Sequence, residues 1–377
     1  MLIVKFRLTN SVLTKNQKLM SSKSIELDFN GKNIYTGIDT HLKNWRVTIL
    51  LDDFVYKTFS MDPNAKVLSN YLRRNFPNGN YHSAYEAGFC GYSVHRALIN
   101  EGIQNIVVNP ADIPTSDKER KQKEDARDSR KIARSLRNGE LEPIYIPSQA
   151  TEELRGFVRY RKSVVRDIAR NKSRIKSFLY RHGIKIPAEL DTASRYWSSN
   201  FTTWLKTIRL TTDFGHTVIL NTLETVEQLR LTLLSVNKEL RKIAKNEPYV
   251  HQIKLLVSIP GVGLIVAMTI LSELECISRF KSLDQLCSFL GLVPTTKSSD
   301  ENKRVGGITP RSNKPLRKML IESAWVAIRN DPALALAYSN LCKRMKSNKA
   351  IIRIAKKLVS RIRYVLINQV EYKCSIL

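Results

Sequence analysis

The chain has 377 residues, 62 of them Lys or Arg against 34 Asp or Glu, a formal charge of +28 with a pI near 10.0. That length predicts two or three domains, and the charge excess points to a polyanion, DNA or RNA, as partner. No apolar run reaches the ~18 residues of a spanning helix, and the five scattered cysteines lack the CxxC spacing of a zinc site or a disulfide framework, so a reducing, cytoplasmic setting is expected.

Residues 1–33 form an N-terminal extension with no assigned role, and Met20 is a second candidate start. From Ile34 the pattern becomes alternating and β-branched, which predicts strands over Ile34–Asp39, Trp45–Leu51 and Phe54–Met61. Val67, Leu68, Tyr71 and Leu72 fall at helical spacing within 64–75, and Pro77-Asn78-Gly79 stops that helix. A short strand over Tyr81–Glu86, a helix over Tyr92–Asn100 and a buried strand over Asn105–Asn109 follow. Strand, helix and strand in that order imply a parallel crossover, so residues 34–145 read as an α/β domain. Asp117–Asn138 is dense in charge, but Ile132, Ala133 and Leu136 give its second half an apolar seam and predict an ordered helix.

Leu141–Ser148, with two prolines, reads as a linker into a mostly α second half. Leu154, Phe157, Val164, Ile168, Ile175 and Phe178 keep a heptad spacing, with Arg161 and Asn171 at the two missing seam positions. Ile219, Val226, Leu229, Leu233, Val236, Leu240 and Ile243 do the same, with Thr222 in the seam. Two such helices within 146–250 predict an antiparallel arm or an oligomerisation coiled coil, with plain bundle packing as the alternative.

Residues 251–345 form the next domain. Ile259-Pro-Gly-Val-Gly263 lies between two apolar helices and resembles a helix-hairpin-helix, whose glycine turn offers backbone N–H groups to a phosphate. A helix over Leu283–Leu290 ends at Gly291-Leu-Val-Pro294, a polar glycine-containing loop spans Thr295–Ser312, and helix resumes over Pro315–Arg329. Residues 346–377 end the chain with a basic amphipathic helix. Its Arg353, Lys356, Lys357, Arg361 and Arg363 are expected to face nucleic acid. Trp45, Tyr92 and Trp325 are expected in cores, and the histidines are too isolated for a zinc or triad site.

Four acids carry candidate chemistry. Asp39 ends a strand, Glu86 ends another, and Asp125 and Asp128 stand three apart on one helix face. Hard carboxylate oxygens from separate elements are how a Mg²⁺ site is usually made, and paired ions of this kind serve phosphoryl transfer. Asp117 and Glu124 are close decoys, and spacing alone leaves Glu124/Asp128 and Asp125/Asp128 both open.

Taken together, Gly37-Ile-Asp39, Tyr85-Glu-Ala-Gly88, Gly91-Tyr92, Asn109-Pro110 and Lys123–Lys131 resemble the DEDD domain of the insertion-sequence 110 transposases, the Piv/MooV group. Ser258–Gly263, Phe280, Gly291–Pro294, Ser298-Ser299, Gly306–Thr309 and Leu316-Arg317 are similar to that family's C-terminal domain, in the same order. The resemblance implies a RuvC/ribonuclease-H-like domain with Asp39, Glu86, Asp125 and Asp128 as its acids, holding Mg²⁺ or Mn²⁺. It also implies a nucleophilic serine in the second domain, Ser299, with Ser298 the adjacent alternative. By the same likeness the partners are donor and target DNA, a structured non-coding bridge RNA, and further copies of the chain, from dimer to tetramer. A cytoplasmic, nucleoid-associated protein follows. Two departures stand out: Glu124 where threonine is common, and Asp300 where glycine is common. Outside this family, the remaining classes are a RuvC-like nuclease or junction resolvase and an inactive nucleic-acid scaffold.

Overall fold

A computed structural model describes residues 28–114, 125–299, 302–310 and 312–374, leaving out the side chains of 125–126, 296–299 and 302–305. The chain divides into two units between Ile146 and Pro147.

In the first unit the β-branched alternation builds β1 (Asn33–Thr40), β2 (Trp45–Leu51) and β3 (Phe54–Met61) as an antiparallel meander. Helix α1 (Ala65–Asn75) follows, with the Asn64 side chain accepting hydrogen bonds from the Lys66 and Val67 N–H groups at its start. Strand β4 (Asn80–Glu86), helix α2 (Ser93–Asn100) and strand β5 (Gln104–Val108) then add two strands parallel to β1, giving the order β3-β2-β1-β4-β5. The expected crossover is therefore present.

Period-2 side-chain direction splits the sheet's two faces. Ile34, Ile38, Val47, Ile49 and Tyr85 pack with Leu68, Leu72 and Leu98 of α1 and α2. The opposite face, with Ala84 and Val108, is covered by Ile132 of α3 (Asp125–Arg137). Each of these buried aliphatic side chains contributes about 1.5–3 kcal/mol of transfer free energy. Of the N-terminal extension, Phe29 packs edge-on against Phe76, and residues 1–27 lie outside the described residues.

The second unit is helical. Helices α4 (Gln149–Arg181) and α6 (Asp213–Ile243) pair along their heptad stripes. Leu154 and Val158 cluster with Val236 and Leu240, Val164 and Ile168 with Val226, and Ile175 and Leu179 with Ile219 and Leu223. Early residues of one thus meet late residues of the other, so the pair is antiparallel, about 45–50 Å long at 1.5 Å per residue. Arg161 fills its seam position by donating from Nε to the Asn237 side-chain oxygen at 2.7 Å. Between them, α5 (Ser199–Thr207) closes the tip with Phe201 and Leu205.

At the other end, α7 (Val250–Val257), α8 (Leu264–Leu274), α9 (Leu283–Leu290), α10 (Lys314–Asn330), α11 (Pro332–Cys342) and α12 (Ser347–Asn368) share one core. Between α9 and α10, β6 (Pro294–Ser299) and β7 (Asn302–Ile308) form an antiparallel pair where the sequence predicts a loop. Thr295-Thr-Lys-Ser-Ser has no apolar alternation by which a strand could be read from it. The ladder itself and the Thr295 hydroxyl, donating to the Gly307 carbonyl at 3.0 Å, hold it together. Among the described residues no helix is long and apolar enough to cross a membrane.

Candidate functional site

Asp39 is the penultimate residue of β1 and Glu86 the last of β4. The parallel register pairs Gly37 with Ala84 and Ile38 with Tyr85, so Asp39 and Glu86 are its next step. Neighbouring strands lie about 4.8 Å apart, and side chains at one step leave the same face. The two half-buried carboxylates therefore stand side by side, on the face away from the Ile38 and Tyr85 core and toward α3.

Gly37, on that same face, is where α3 comes closest. A Cβ there would lie 2.0 Å from the Ser129 carbonyl oxygen and 2.4 Å from the Ala133 nitrogen. Beside it, the buried hydroxyls of Thr48 and Ser129 stand 2.9 Å apart. Arg137, in the last turn of α3, pairs with Asp53 in the β2–β3 turn, and that turn flanks the start of β1, where Ile34 opposes Leu51. Helix α3 therefore runs antiparallel to β1, and its first turn, with Asp125 and Asp128, comes to the strand end that carries Asp39. Asp128 is half-buried. The side chain of Asp125 lies outside the described residues, as do the decoys Asp117 and Glu124. A Gly37→Ala variant is expected to push α3 off the sheet, at a cost of about 1–3 kcal/mol or more, read as a lower urea midpoint.

His41 was not singled out by its sequence context, yet its Nε2 lies 3.2 Å from Asp39 Oδ2. Its position just past the strand end, two residues from Asp39, is the signal that sequence offered. Among the described residues no three Asp, Glu, His or Cys side chains are grouped so as to hold a metal ion. Asp39, Glu86 and Asp128 nonetheless offer the hard oxygen donors that Mg²⁺ or Mn²⁺ takes, and a chain of charge +28 supplies few acids to gather by chance.

Ser298 and Ser299 lie on β6, opposite Lys303 and Asn302. Ser299 closes the ladder, with Asp300 and Glu301 connecting the strands in sequence. The two serine side chains and Asp300 lie outside the described residues. The acids belong to the first unit and the serines to the second.

The basic surfaces divide. Helix α4 has its cations Lys162, Arg166 and Arg170 exposed. On α12, the five expected nucleic-acid contacts divide. Arg361 pairs with Asp331, which is 1% exposed, Lys356 bonds Asp284 at 2.9 Å, and Arg363 reaches the carbonyls of Phe280 and Lys281. Nine residues of α12 are buried, so the helix is a core element, and it leaves Lys349, Arg353 and Lys357 exposed at the surface. Trp45 is in the core at 3% exposure, whereas Trp325 is 36% exposed and edge-on to Tyr338. In the helix-hairpin-helix-like turn, Ile259 and Val262 are buried and Gly261, at φ +88°, abuts Ser323 and Ala327 of α10. The start of α8 opens on a cavity of about 310 Å³ lined by Arg161, Asn237, Arg241 and residues 263–266.

Comparison with known proteins finds two family models along this chain. Residues 36–183 match the DEDD transposase domain of the IS110 type, and residues 253–339 match the family described as "Transposase IS116/IS110/IS902 family". The y4qE protein of Sinorhizobium fredii, an inferred transposase, is 31% identical over 244 residues, 64% of this chain and 57% of the relative's own length. The transposase for insertion sequence element IS1533 of Leptospira borgpetersenii is 26% identical over 307 residues, 78% of this chain and 85% of the relative. The transposase for insertion sequence element IS1111A of Coxiella burnetii is 25% identical over 296 residues, 76% of this chain and 78% of the relative. Two matched domains in the family's order, over more than half of the sequence, mean that the chain belongs to the IS110 family of transposases.

Proposed function

We propose that this chain cuts and rejoins DNA as the transposase of a mobile insertion sequence, through a serine–DNA phosphodiester. The observation that carries the proposal is the gathering of Asp39, Glu86 and the first turn of α3 at one end of the first unit's sheet. That strand order, with acids at the ends of β1 and β4, also suits a RuvC/ribonuclease-H-like domain. Asp39, Glu86, Asp125 and Asp128 would hold Mg²⁺ or Mn²⁺, which when bound supplies charge neutralisation at a scissile phosphate and acidifies a hydroxyl.

The chain's own residues do the rest. Ser299, with Ser298 as the alternative, attacks phosphorus. The new serine–phosphate ester replaces one bond to a deoxyribose oxygen, which leaves with a proton. A hydroxyl from the recipient strand then reverses the exchange and frees the serine, so no outside energy source is needed. A serine hydroxyl is a weak nucleophile without the assistance of a base or a metal. The exposed cations of α4 and the start of α8 bind phosphate backbone. The charge of +28 suits a bridge RNA beside the donor and target duplexes. Four strand cuts call for four serines, hence a tetramer, working at the nucleoid in the cytoplasm.

The test is Ser299→Ala, alone and with Ser298→Ala, assayed on labelled element-end DNA with Mg²⁺ and quenched in detergent. Covalent protein–DNA adduct is expected to fall by about 10³-fold or more, the scale of losing a nucleophile. Strand cleavage retained without adduct would replace the serine mechanism with that of a plain metal-dependent nuclease.

A further inference from the structure

A single guanidinium spans the root of the β6–β7 hairpin. Arg317, in the first turn of α10, donates from Nη1 to the Thr309 carbonyl oxygen at 2.9 Å and to the Gly291 carbonyl oxygen at 3.2 Å. Gly291 stands three residues before β6 and Thr309 directly follows β7, so both feet are held from one point. Gly291 is required there: at φ +69° a Cβ would fall 2.3 Å from Ser312 Cβ and 2.9 Å from Arg317 Nη1. The Thr309 N–H donates to the Val293 carbonyl at 3.1 Å and completes the joint.

The helix that carries Arg317 is itself fixed. Asn313 caps it, accepting from the Leu316 N–H at 3.1 Å, and its Nδ2 donates to Glu273 Oε2 of α8 at 2.8 Å. Glu273, 4% exposed, is gripped in turn by the Arg159 fork of α4 at 2.8 and 2.9 Å. The clamp therefore works against a rigid frame.

Its leverage is large. From the Pro294–Ile308 pair to the Ser299–Asn302 pair the ribbon runs five residues, about 17 Å at ~3.3 Å each. A two-stranded ribbon is marginally stable by itself. A tilt of about 10° at the root would carry the tip about 3 Å, while a misplacement of about 1 Å already costs ~10²-fold in rate. We propose that Arg317 is a positioning residue that sets the reach and angle at which Ser299 meets the DNA phosphate. The inference rests on the serine mechanism proposed above.

Arg317→Met, which keeps the aliphatic stem, and Arg317→Lys, which keeps the charge, test it in the full chain. Arg317→Met is expected to bind element-end DNA within about threefold of the unaltered chain and to form adduct ~10²-fold more slowly at saturating DNA. Hydrogen exchange of amides in 295–299 and 302–308 should quicken, with α12 unchanged, and Arg317→Lys should recover about tenfold of the lost rate. A rate within about threefold of the unaltered chain, or unchanged exchange in the hairpin, overturns the inference. If Arg317→Met does not fold, the lysine variant is measured for adduct rate and hairpin exchange in its place, and the same two results overturn the inference. Adduct persisting in the Ser298→Ala, Ser299→Ala double variant would instead refute the serine mechanism. Hairpin exchange, which needs no chemistry, separates the two failures.

Discussion

Asp39→Asn is expected to abolish Mg²⁺-dependent strand cleavage, by about 10³-fold or more, while leaving DNA binding within about threefold. The substitution removes one negative charge with almost no change of shape. An asparagine oxygen can still accept from His41, so the loss reports charge and donor strength rather than local collapse. The backbone contact that holds α3 to the sheet runs through Gly37, not Asp39, and stays intact. Glu86→Gln, its neighbour by register, should behave the same way, and the double variant should be little worse than either single one, because residues of one unit are non-additive. Single-turnover cleavage with titrated Mg²⁺, beside a gel-shift measurement of binding, reads both quantities. Cleavage within about tenfold of the unaltered chain would remove Asp39 from the active site.

The second large effect is on stability. Glu273→Ala is expected to destabilise the second unit by about 3 kcal/mol, at the lower end for breaking a buried ion pair because Arg159 is partly solvated. In a unit of this size that lowers the midpoint by about 6–12 °C, measurable by calorimetry. The truncation removes the carboxylate that Arg159 and the Asn313 side chain share, while Arg155 keeps its 2.9 Å bond to the Ser272 carbonyl. It also breaks the tie between the base of the α4–α6 pair and the cap of α10. Neither the long helix nor the hairpin loses an apolar contact, so a shift of under ~1 kcal/mol would mean that the network contributes order without stability.

The elements most legible in the sequence were those whose periodicity reports burial. Strands β1 to β3 alternate because one face packs on α1 and α2, and the heptads of α4 and α6 mark their mutual seam. The strand-end acids were legible as types, but their meeting depends on register and on the direction of α3, which a linear pattern does not encode. The β6–β7 ribbon escaped because Thr295-Thr-Lys-Ser-Ser carries no apolar period to read. Helix α12 reads as more of a basic surface than it is for the opposite reason. Its cations are conspicuous in sequence, whereas the acids and carbonyls that use them, Asp331, Asp284 and the Phe280 carbonyl, lie 30 to 83 residues away. Helices α5 and α11 bury only two and one residues respectively, too few to mark a face.

The antiparallel pairing of α4 and α6 makes the length of that arm a free dimension of the protein. The chain leaves the core near Leu154 and returns to it near Leu240, two residues packed in one cluster, so everything between is an excursion with a common start and finish. Removing or adding seven residues on each helix at matched levels would slide the Phe201 cap inward or outward by about 10 Å. Neither the seam nor the core at the base would notice. Paired insertions alone would therefore change the reach of this arm without a change to any residue at its base or its cap.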